Sequence, residues 1–393
     1  MTPAARLQAA IEILDHIALA ARDGGAAADT LIARYFQDRR YAGSKDRRAV
    51  RELVYEVIRS LGERPATGRA AMIGYARGRA PHLLDLFGSA GHAPAQLVED
   101  DLASRPGLAP GWLMKRLRQQ FGSDCEAEVT ALLGRAPLDL RINPLIGGDV
   151  DIEGAAPAPF VPNGLRITEK LRIETHPAYL AGAVEIQDEG SQLACLAAAA
   201  KPGELVIDLC AGAGGKTLAL AAAMANRGQL IACDTDRDRL SRLPPRAARA
   251  GADMIETRLL NPNREMEALA DLTQTADLVL IDAPCSGTGT WRRNPEARWR
   301  LTPDRLQALT ILQARLLDIG AGLVKPGGRL VYVVCSLLPE EGSGHFDRFY
   351  QRNPGFRPTA FQLPTMTVSA PSAMLTPRQH NCDGFFIAVS SFV

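Results

Sequence analysis

Two cysteines stand at the ends of apolar runs, and each is followed by serine. Asp282-Ala-Pro-Cys-Ser-Gly-Thr-Gly (282–289) closes the run DLVLIDA (277–283), and Val333-Val-Cys-Ser (333–336) closes RLVYVVC (329–335). A single buried cysteine is usually inert packing, and that reading serves for Cys125, Cys195 and Cys233. Cys285 and Cys335 differ. Their strand-end placement, with Asp282, Pro284 and Ser336 alongside, opens both toward one rim of a sheet. Two thiols and a carboxyl group suit one demanding reaction. Cytosine is a poor nucleophile at carbon 5, but a thiolate added at carbon 6 makes carbon 5 enamine-like and able to attack a sulfonium methyl. A carboxylic acid near ring nitrogen 3 stabilises the adduct, and a base then removes the carbon-5 proton before the thiolate leaves.

A methyl donor needs a site on the same rim. VIDLCAGAGGKT (206–217) reads as a strand, a glycine turn and a helix start, where free N–H groups face a ligand. Three ligands compete for it. A phosphate-binding GxxxxGK[ST] loop fits Gly215-Lys216-Thr217, but its first glycine falls on Cys210. A dinucleotide-binding GxGxxG turn fits Gly212 and Gly214, but its third glycine falls on Thr217. Each failure is at a position with a mechanical role. S-adenosylmethionine has no pyrophosphate to cradle and asks instead for acids at neighbouring strand ends. Asp234 ends the next strand, twenty positions after Gly214, where it can chelate ribose hydroxyls, and Asp208 and Asp282 also end strands.

The elements that must position these groups follow from hydrophobic patterning. Strands are expected at 204–210, 228–234, 252–258, 277–283, 329–335 and 384–390, with helices between them, one broken by Pro244–Pro245 and a long one after Pro303. Continuous apolar strands alternating with helices make a mostly parallel sheet buried on both faces, a Rossmann-like α/β domain over 186–393. Residues 1–90 read as an all-helical domain, with Leu7, Ile11, Leu14 and Ala18 on one helix face and Val50, Leu53, Val54, Val57 and Ile58 on another. Residues 91–185 read as a small connecting subdomain: short helices, then β-like runs LRIN (140–143), GLRI (164–167) and LRIE (171–174).

Charge is balanced, with 45 Lys+Arg against 44 Asp+Glu, which excludes a uniformly basic nucleic-acid coat. No CxxC pair occurs among the 7 cysteines, so neither a zinc ribbon nor a thioredoxin-like centre is expected, and no metal site is proposed. Sparse, odd cysteine usage fits a reducing cytoplasm better than a disulfide framework. No apolar run reaches the ~18 residues of a membrane span, and the residues after Met1 lack a signal core, so neither membrane nor export is expected. Two basic stretches remain. Arg39, Arg40, Lys45, Arg47 and Arg48 lie in a segment that, taken alone, reads better as a solvated helix face than as a phosphate-binding surface. Arg292, Arg293, Arg298 and Arg300, between Trp291 and Trp299, follow the Cys285 loop. They read as RNA-phosphate contacts, the tryptophans as packing.

QDEGSQL (187–193), DLCAGAGGKT (208–217), DAPCSGTG (282–289), CSLLPEE (335–341) and DGFF (383–386) together resemble the Sun/RsmB (NSUN-like) family of RNA cytosine-5 methyltransferases, in order and in spacing. Residues 1–90, through DRRAVRELVYEVIR (46–59), resemble the NusB-like RNA-binding domain of RsmB-type members, which favours the phosphate-binding reading of Arg39–Arg48. The resemblance implies a class I methyltransferase fold with a seven-stranded sheet. It implies Cys335 as nucleophile, Cys285 in product release, and Asp282 on the cytosine near the methionine end of the cofactor. Cys210, Ala211, Gly212, Ala213, Gly214, Gly215 and Lys216 would line S-adenosylmethionine, with Asp234 on its ribose and Asn261 near its adenine. Val334 stands where the family usually has Thr, and Asn261 where it commonly has Asp. The amide oxygen of Asn261 can still accept the adenine hydrogen bond.

The implied partner is RNA, ribosomal RNA first and tRNA as alternative. A DNA cytosine methyltransferase would use the Pro-Cys cysteine and lack Cys335. A non-catalytic RNA-binding assembly factor would have no need of paired thiols. A nicotinamide-dependent dehydrogenase fails on the glycine spacing.

Overall fold

Among the described residues up to Arg135, every regular element is helical: α1 (Pro3–Asp23), α2 (Ala28–Gln37), α3 (Ser44–Ser60), α4 (Gly68–Arg79), α5 (Gly111–Phe121) and α6 (Cys125–Ala131), with short 3-10 turns. The computed structural model describes residues 1–89, 91–169, 171–366 and 369–393. These divide into two compact units, Met1–Arg135 with Thr290–Pro303, and Ala136–Gly289 with Asp304–Val393. The stretch read as one connecting subdomain is thus shared, its helices falling in the first unit and its strands in the second.

In the first unit the expected stripes do the packing. Val50, Val54, Val57 and Ile58 of α3 and Leu7, Leu14 and Ile17 of α1 are all 0% exposed and share one core. Each such side chain contributes roughly 1.5–3 kcal/mol of burial free energy. Segment 290–303 completes this unit in a way that charge alone does not reveal. Arg298 is fully buried, and its guanidinium donates to the carbonyls of Ile58 (2.6 Å) and Leu61 (2.8 Å) at the end of α3. Arg300 donates to the carbonyls of Ala20, Gly25 (2.7 Å) and Ala26 beyond α1. Glu296 accepts from the N–H of Ala28 at 3.0 Å, supplying the N-terminal cap that α2 lacks from its own sequence. Helix ends leave carbonyls and N–H groups unpaired, and guanidinium at a C-terminus or carboxylate at an N-terminus meets both the bonds and the helix dipole. Trp291 and Trp299 are buried, as expected, and Arg292 is only 5% exposed. The reading of Arg292, Arg298 and Arg300 as phosphate contacts is therefore corrected: Arg292 is withdrawn from solvent, and the other two hold helix ends. Arg293 stays half-exposed.

The second unit contains two sheets. The smaller one has order β2-β3-β1-β4, from β1 (Leu138–Ile142), β2 (Ala155–Pro157), β3 (Gly164–Ile167) and β4 (Val184–Ile186), all antiparallel. LRIE (171–174), expected as β-like, instead enters a 3-10 turn (Ile173–Thr175), because Pro177 opens a helix three residues after Glu174. The larger sheet comprises β5 (Leu205–Asp208), β6 (Gln229–Asp234), β7 (Ile255–Leu259), β8 (Ala276–Asp282), β9 (Val324–Val334), β10 (Phe356–Pro358), β11 (Ser372–Leu375) and β12 (Phe385–Phe392). Its order is β10-β12-β9-β8-β5-β6-β7, with β11 added beside β12. Strands β5 to β9 run parallel, and β10, β11 and β12 pair antiparallel. This is the Rossmann-like class I arrangement, with eight strands where seven were expected. The interruption at Pro244–Pro245 appears as two short helices, the prolines sitting in the first turn of Leu243–Arg249. Among the described residues no helix is long and apolar enough to cross a membrane.

The two sheets are joined by buried charge. Arg166 of β3 donates to both oxygens of Asp139 on β1 (2.7 and 3.0 Å) and to Glu189 (2.9 Å), which opens helix Glu189–Ala198. Gln187 accepts from Arg141 (2.8 Å), and both oxygens of Asp188 accept from the N–H of Asp383. QDEGSQL is thus a structural staple. At the centre of the large sheet, Asp208 ends β5 fully buried, and its Oδ2 accepts from the Thr217 hydroxyl at 2.7 Å. Burial, with the nearby charges of Asp282 and Asp234, pushes this carboxyl up to about 7, against the pull of Thr217 and Lys216.

Two outcomes are expected. Arg298→Met should destabilise the full-length protein in urea by about 1–3 kcal/mol for each carbonyl left bare; an unchanged midpoint joined to weaker RNA binding would restore the phosphate role. For Asp208, the folded state holds a proton that the unfolded chain releases near 3.8, so stability contributed by this group falls as pH rises from about 4 to 7. Asp208→Asn should remove that slope, shifting the wild-type minus variant difference by up to about 3 kcal/mol between pH 4.5 and 8. A difference independent of pH would show that Asp208 is ionised throughout.

Candidate active site

Parallel pairing of β8 with β9 sets Asp282 opposite Val333. Both chains leave the sheet at that level, so Cys285, three residues past Asp282, and Cys335, two past Val333, emerge together. Their sulfurs are 3.4 Å apart, in contact and unbonded. Backbone and hydroxyl bonds fix both loops: Gly289 N–H donates to the Cys335 carbonyl (3.0 Å), and Leu337 N–H to the Thr288 hydroxyl (2.9 Å). Gly384 N–H donates to the Gly289 carbonyl at 2.8 Å, and a β-carbon on Gly289 would lie 2.0 Å from the Gly384 oxygen. The glycine of DGFF therefore packs directly against the last glycine of the Cys285 loop.

The hydrogen bond with Cys335, then burial, then the charges of Cys335 and Glu341 push the Cys285 thiol well above the usual range. Burial pushes Cys195 up to about 11 and Cys233 up to about 12. Cys210 is raised well above its ordinary value by burial and by Asp208, Asp234 and Asp282. These three remain neutral thiols.

Asp282 ends β8 with its side chain 34% exposed, and Lys216 donates to its Oδ2 at 2.6 Å. Burial lowers the lysine, but the charge of Asp282, the charge of Cys195, the hydrogen bond to Asp282 and the charge of Cys335 together outweigh it, and the net shift is upward. Lys216 Nζ also stands 5.4 Å above the Phe385 ring, so a second residue of DGFF faces this ion pair. On the loop, Gly212 (φ 54°) and Gly214 (φ 88°) hold left-handed conformations. A β-carbon at either would strike Arg239 (2.5 Å) or Leu243 (2.2 Å). Asp234, 8% exposed, accepts from the N–H groups of Gly212 (2.7 Å) and Asp236 (2.8 Å), with lone pairs left for hydroxyl donors. A side-chain-free cradle, an oriented carboxylate and a rim acid fit S-adenosylmethionine. Cys210, Ala213 and Gly215 are half-buried along the same loop, Ala211 is buried, and Asn261 is exposed just past the end of β7.

The basic residues of the first unit are placed differently. Arg40, Lys45, Arg47 and Arg48 are exposed, and Arg47 Nε donates to the Ala42 carbonyl. Arg39 lies over the Tyr35 ring at 3.7 Å and pairs with Glu12. Sequence reasoning missed three features of the site: Lys216 as partner of Asp282, Phe385 beside it, and Glu341 beneath the cysteines. The only signal for Glu341 is its place in CSLLPEE, six residues after Cys335.

Residues 195–390 match the family described as 16S rRNA methyltransferase RsmB/F. The probable ribosomal RNA small subunit methyltransferase B of Synechocystis is 35% identical over 294 residues, covering 71% of this chain and 66% of that relative. Ribosomal RNA small subunit methyltransferase B of Salmonella arizonae is 34% identical over 290 residues, covering 72% of this chain and 66% of its own. The chain thus spans just under two thirds of the length of these relatives. Among solved structures, PH0851 superposes with a TM-score of 0.78 over 98% of both chains at 24% identity, a likeness of fold. A methyltransferase homolog protein from Pyrococcus horikoshii is 28% identical with a TM-score of 0.61, covering 73% of this chain and 96% of that one. With a Rossmann-like sheet, a glycine cradle and these relatives, the chain belongs to the RsmB/F family of methyltransferases.

Proposed function

We propose that this protein transfers a methyl group from S-adenosylmethionine to carbon 5 of a cytosine in ribosomal RNA, through a transient bond between Cys335 and carbon 6. One observation carries the reading: two sulfurs in contact at 3.4 Å, on adjacent strand ends, with Asp282 on the same rim. Inert packing gives no reason for such a pair beside an ion-paired carboxylate.

When bound, S-adenosylmethionine supplies an electrophilic methyl group. The chain's own residues do the rest. Asp234 and the 210–216 loop hold the ribose and methionine parts. The Cys335 thiolate adds to carbon 6, and the electron pair released into the ring makes carbon 5 nucleophilic. Asp282, with Lys216 as its counter-ion, is the carboxyl group for ring nitrogen 3. Once carbon 5 carries the methyl, its proton passes to a solvent water acting as base, the C–H pair restores the 5,6 double bond, and the carbon 6–sulfur bond breaks with its pair leaving on the Cys335 sulfur. Cys285 assists here, since its retained proton can hydrogen-bond the departing thiolate. A paired base cannot reach this rim inside a helix, so the target is unpaired or flipped out. The helical unit serves as a NusB-like RNA-binding domain, with Arg40, Lys45, Arg47 and Arg48 on phosphates. Such contacts weaken steeply with salt.

Cys335→Ala should lower methyl incorporation into small-subunit rRNA by about 10³-fold or more while cofactor affinity, by calorimetry, stays within about twofold. Full activity in that variant would sink the assignment. Cys285→Ala should accumulate a protein–RNA adduct visible as a shifted band on a denaturing gel; a variant that turns over without one has no need of Cys285 for release. Bisulfite sequencing of RNA from a deletion strain should lose one methylcytosine in rRNA. A loss confined to tRNA would overturn the ribosomal part of the reading.

A further inference from the structure

Glu341 is 0% exposed, and its four described donors are all neutral. One carboxylate oxygen accepts from the Ser286 N–H (2.8 Å) and the Gln313 amide (2.9 Å). The other accepts from the hydroxyls of Ser286 and Ser336. Ser286 follows Cys285 and Ser336 follows Cys335, so a single carboxylate is bonded to the neighbour of each thiol. The surroundings hold the carboxylate in turn. Gln313 also donates to the Pro284 carbonyl (2.9 Å), the residue before Cys285, and the Tyr332 hydroxyl donates to the Glu341 carbonyl (2.9 Å). The Ser286 and Ser336 hydroxyls are themselves 3.1 Å apart.

A leucine at this position would leave the Ser286 N–H, the Gln313 amide and both serine hydroxyls without this acceptor, so what the acid contributes is the set of bonds that ties the two loops together. We propose that Glu341 is a positioning residue for the reaction: it clamps the two cysteine loops so that the sulfurs stay in contact. This rests on the methyl-transfer reading only for its consequence, the rate; the clamp itself is testable without RNA.

Diamide, a two-electron thiol oxidant, gives the direct test in the full-length protein. It should close a Cys285–Cys335 disulfide rapidly in the wild type, both thiols losing their protons and the diazene being reduced to the hydrazine. In Glu341→Ala that rate should fall at least about tenfold, because effective concentration falls when two groups are no longer held together. Where the alanine variant fails to fold by circular dichroism, Glu341→Gln decides. It keeps the shape but replaces one acceptor oxygen with an NH2 group, so two of the four donors lose their acceptor and disulfide closure should again slow, by at least about threefold. Methyl transfer should fall with kcat, and KM for RNA should stay unchanged. A folded Glu341→Ala protein that closes the disulfide at the wild-type rate would overturn the clamp. A folded Glu341→Gln protein that does the same would overturn it equally. Should the wild type prove inactive on RNA while these thiol readouts shift as stated, the methylation reading fails and the clamp stands.

Discussion

Everything at the rim depends on the parallel ladder between β8 and β9 holding Asp282 level with Val333. Side chains alternate along a strand, so a slip of one residue would turn Cys335 to the opposite face of the sheet. With the register held, two thiols leave neighbouring strands at the same height, and contact between them follows from strand spacing. The ladder is secure because both strands are buried in the middle of the sheet: Leu278, Val279, Leu280, Ile281, Leu330, Val331, Tyr332 and Val333 are all 0% exposed. Apolar burial on both faces leaves no alternative pairing that keeps as much surface from water.

Around that pair the motifs of this chain divide by role. In the proposed reaction Cys335, Cys285 and Asp282 carry the chemistry. Gly289 and Gly384 exist to let two backbones touch, and Asp188 receives the Asp383 N–H from the same DGFF segment. Gln187 and Glu189 tie the small sheet to the helix that precedes β5. A reactive centre on loops needs such ties, because each loop has lost the hydrogen-bond ladder that keeps its strand rigid.

The helical unit poses a different physical problem and meets it with residues from far along the chain. Three helix ends need partners that local sequence does not supply, and Glu296, Arg298 and Arg300 provide them across more than 230 positions. Thr290–Pro303 belongs to this unit although it follows the Cys285 loop directly. Two of its arginines, Arg298 and Arg300, donate to carbonyls at helix C-termini, where their positive charge also meets the helix dipole.

The amino-acid order by itself determined the parallel sheet, the glycine loop, the two thiols at strand ends and the helical stripes of α1 and α3. Each is written in local patterning: continuous apolar runs, turn glycines and heptad-like spacing are decided within a dozen residues. Only the folded chain decided which arginines are withdrawn from solvent, that Lys216 pairs with Asp282, and that Glu341 lies beneath both cysteines. Those facts depend on which distant backbone groups are left unpaired, and no window of sequence contains both halves of such a bond. The extra strand β11 belongs to the same class, because a four-residue run becomes a strand only where a neighbour offers an open edge.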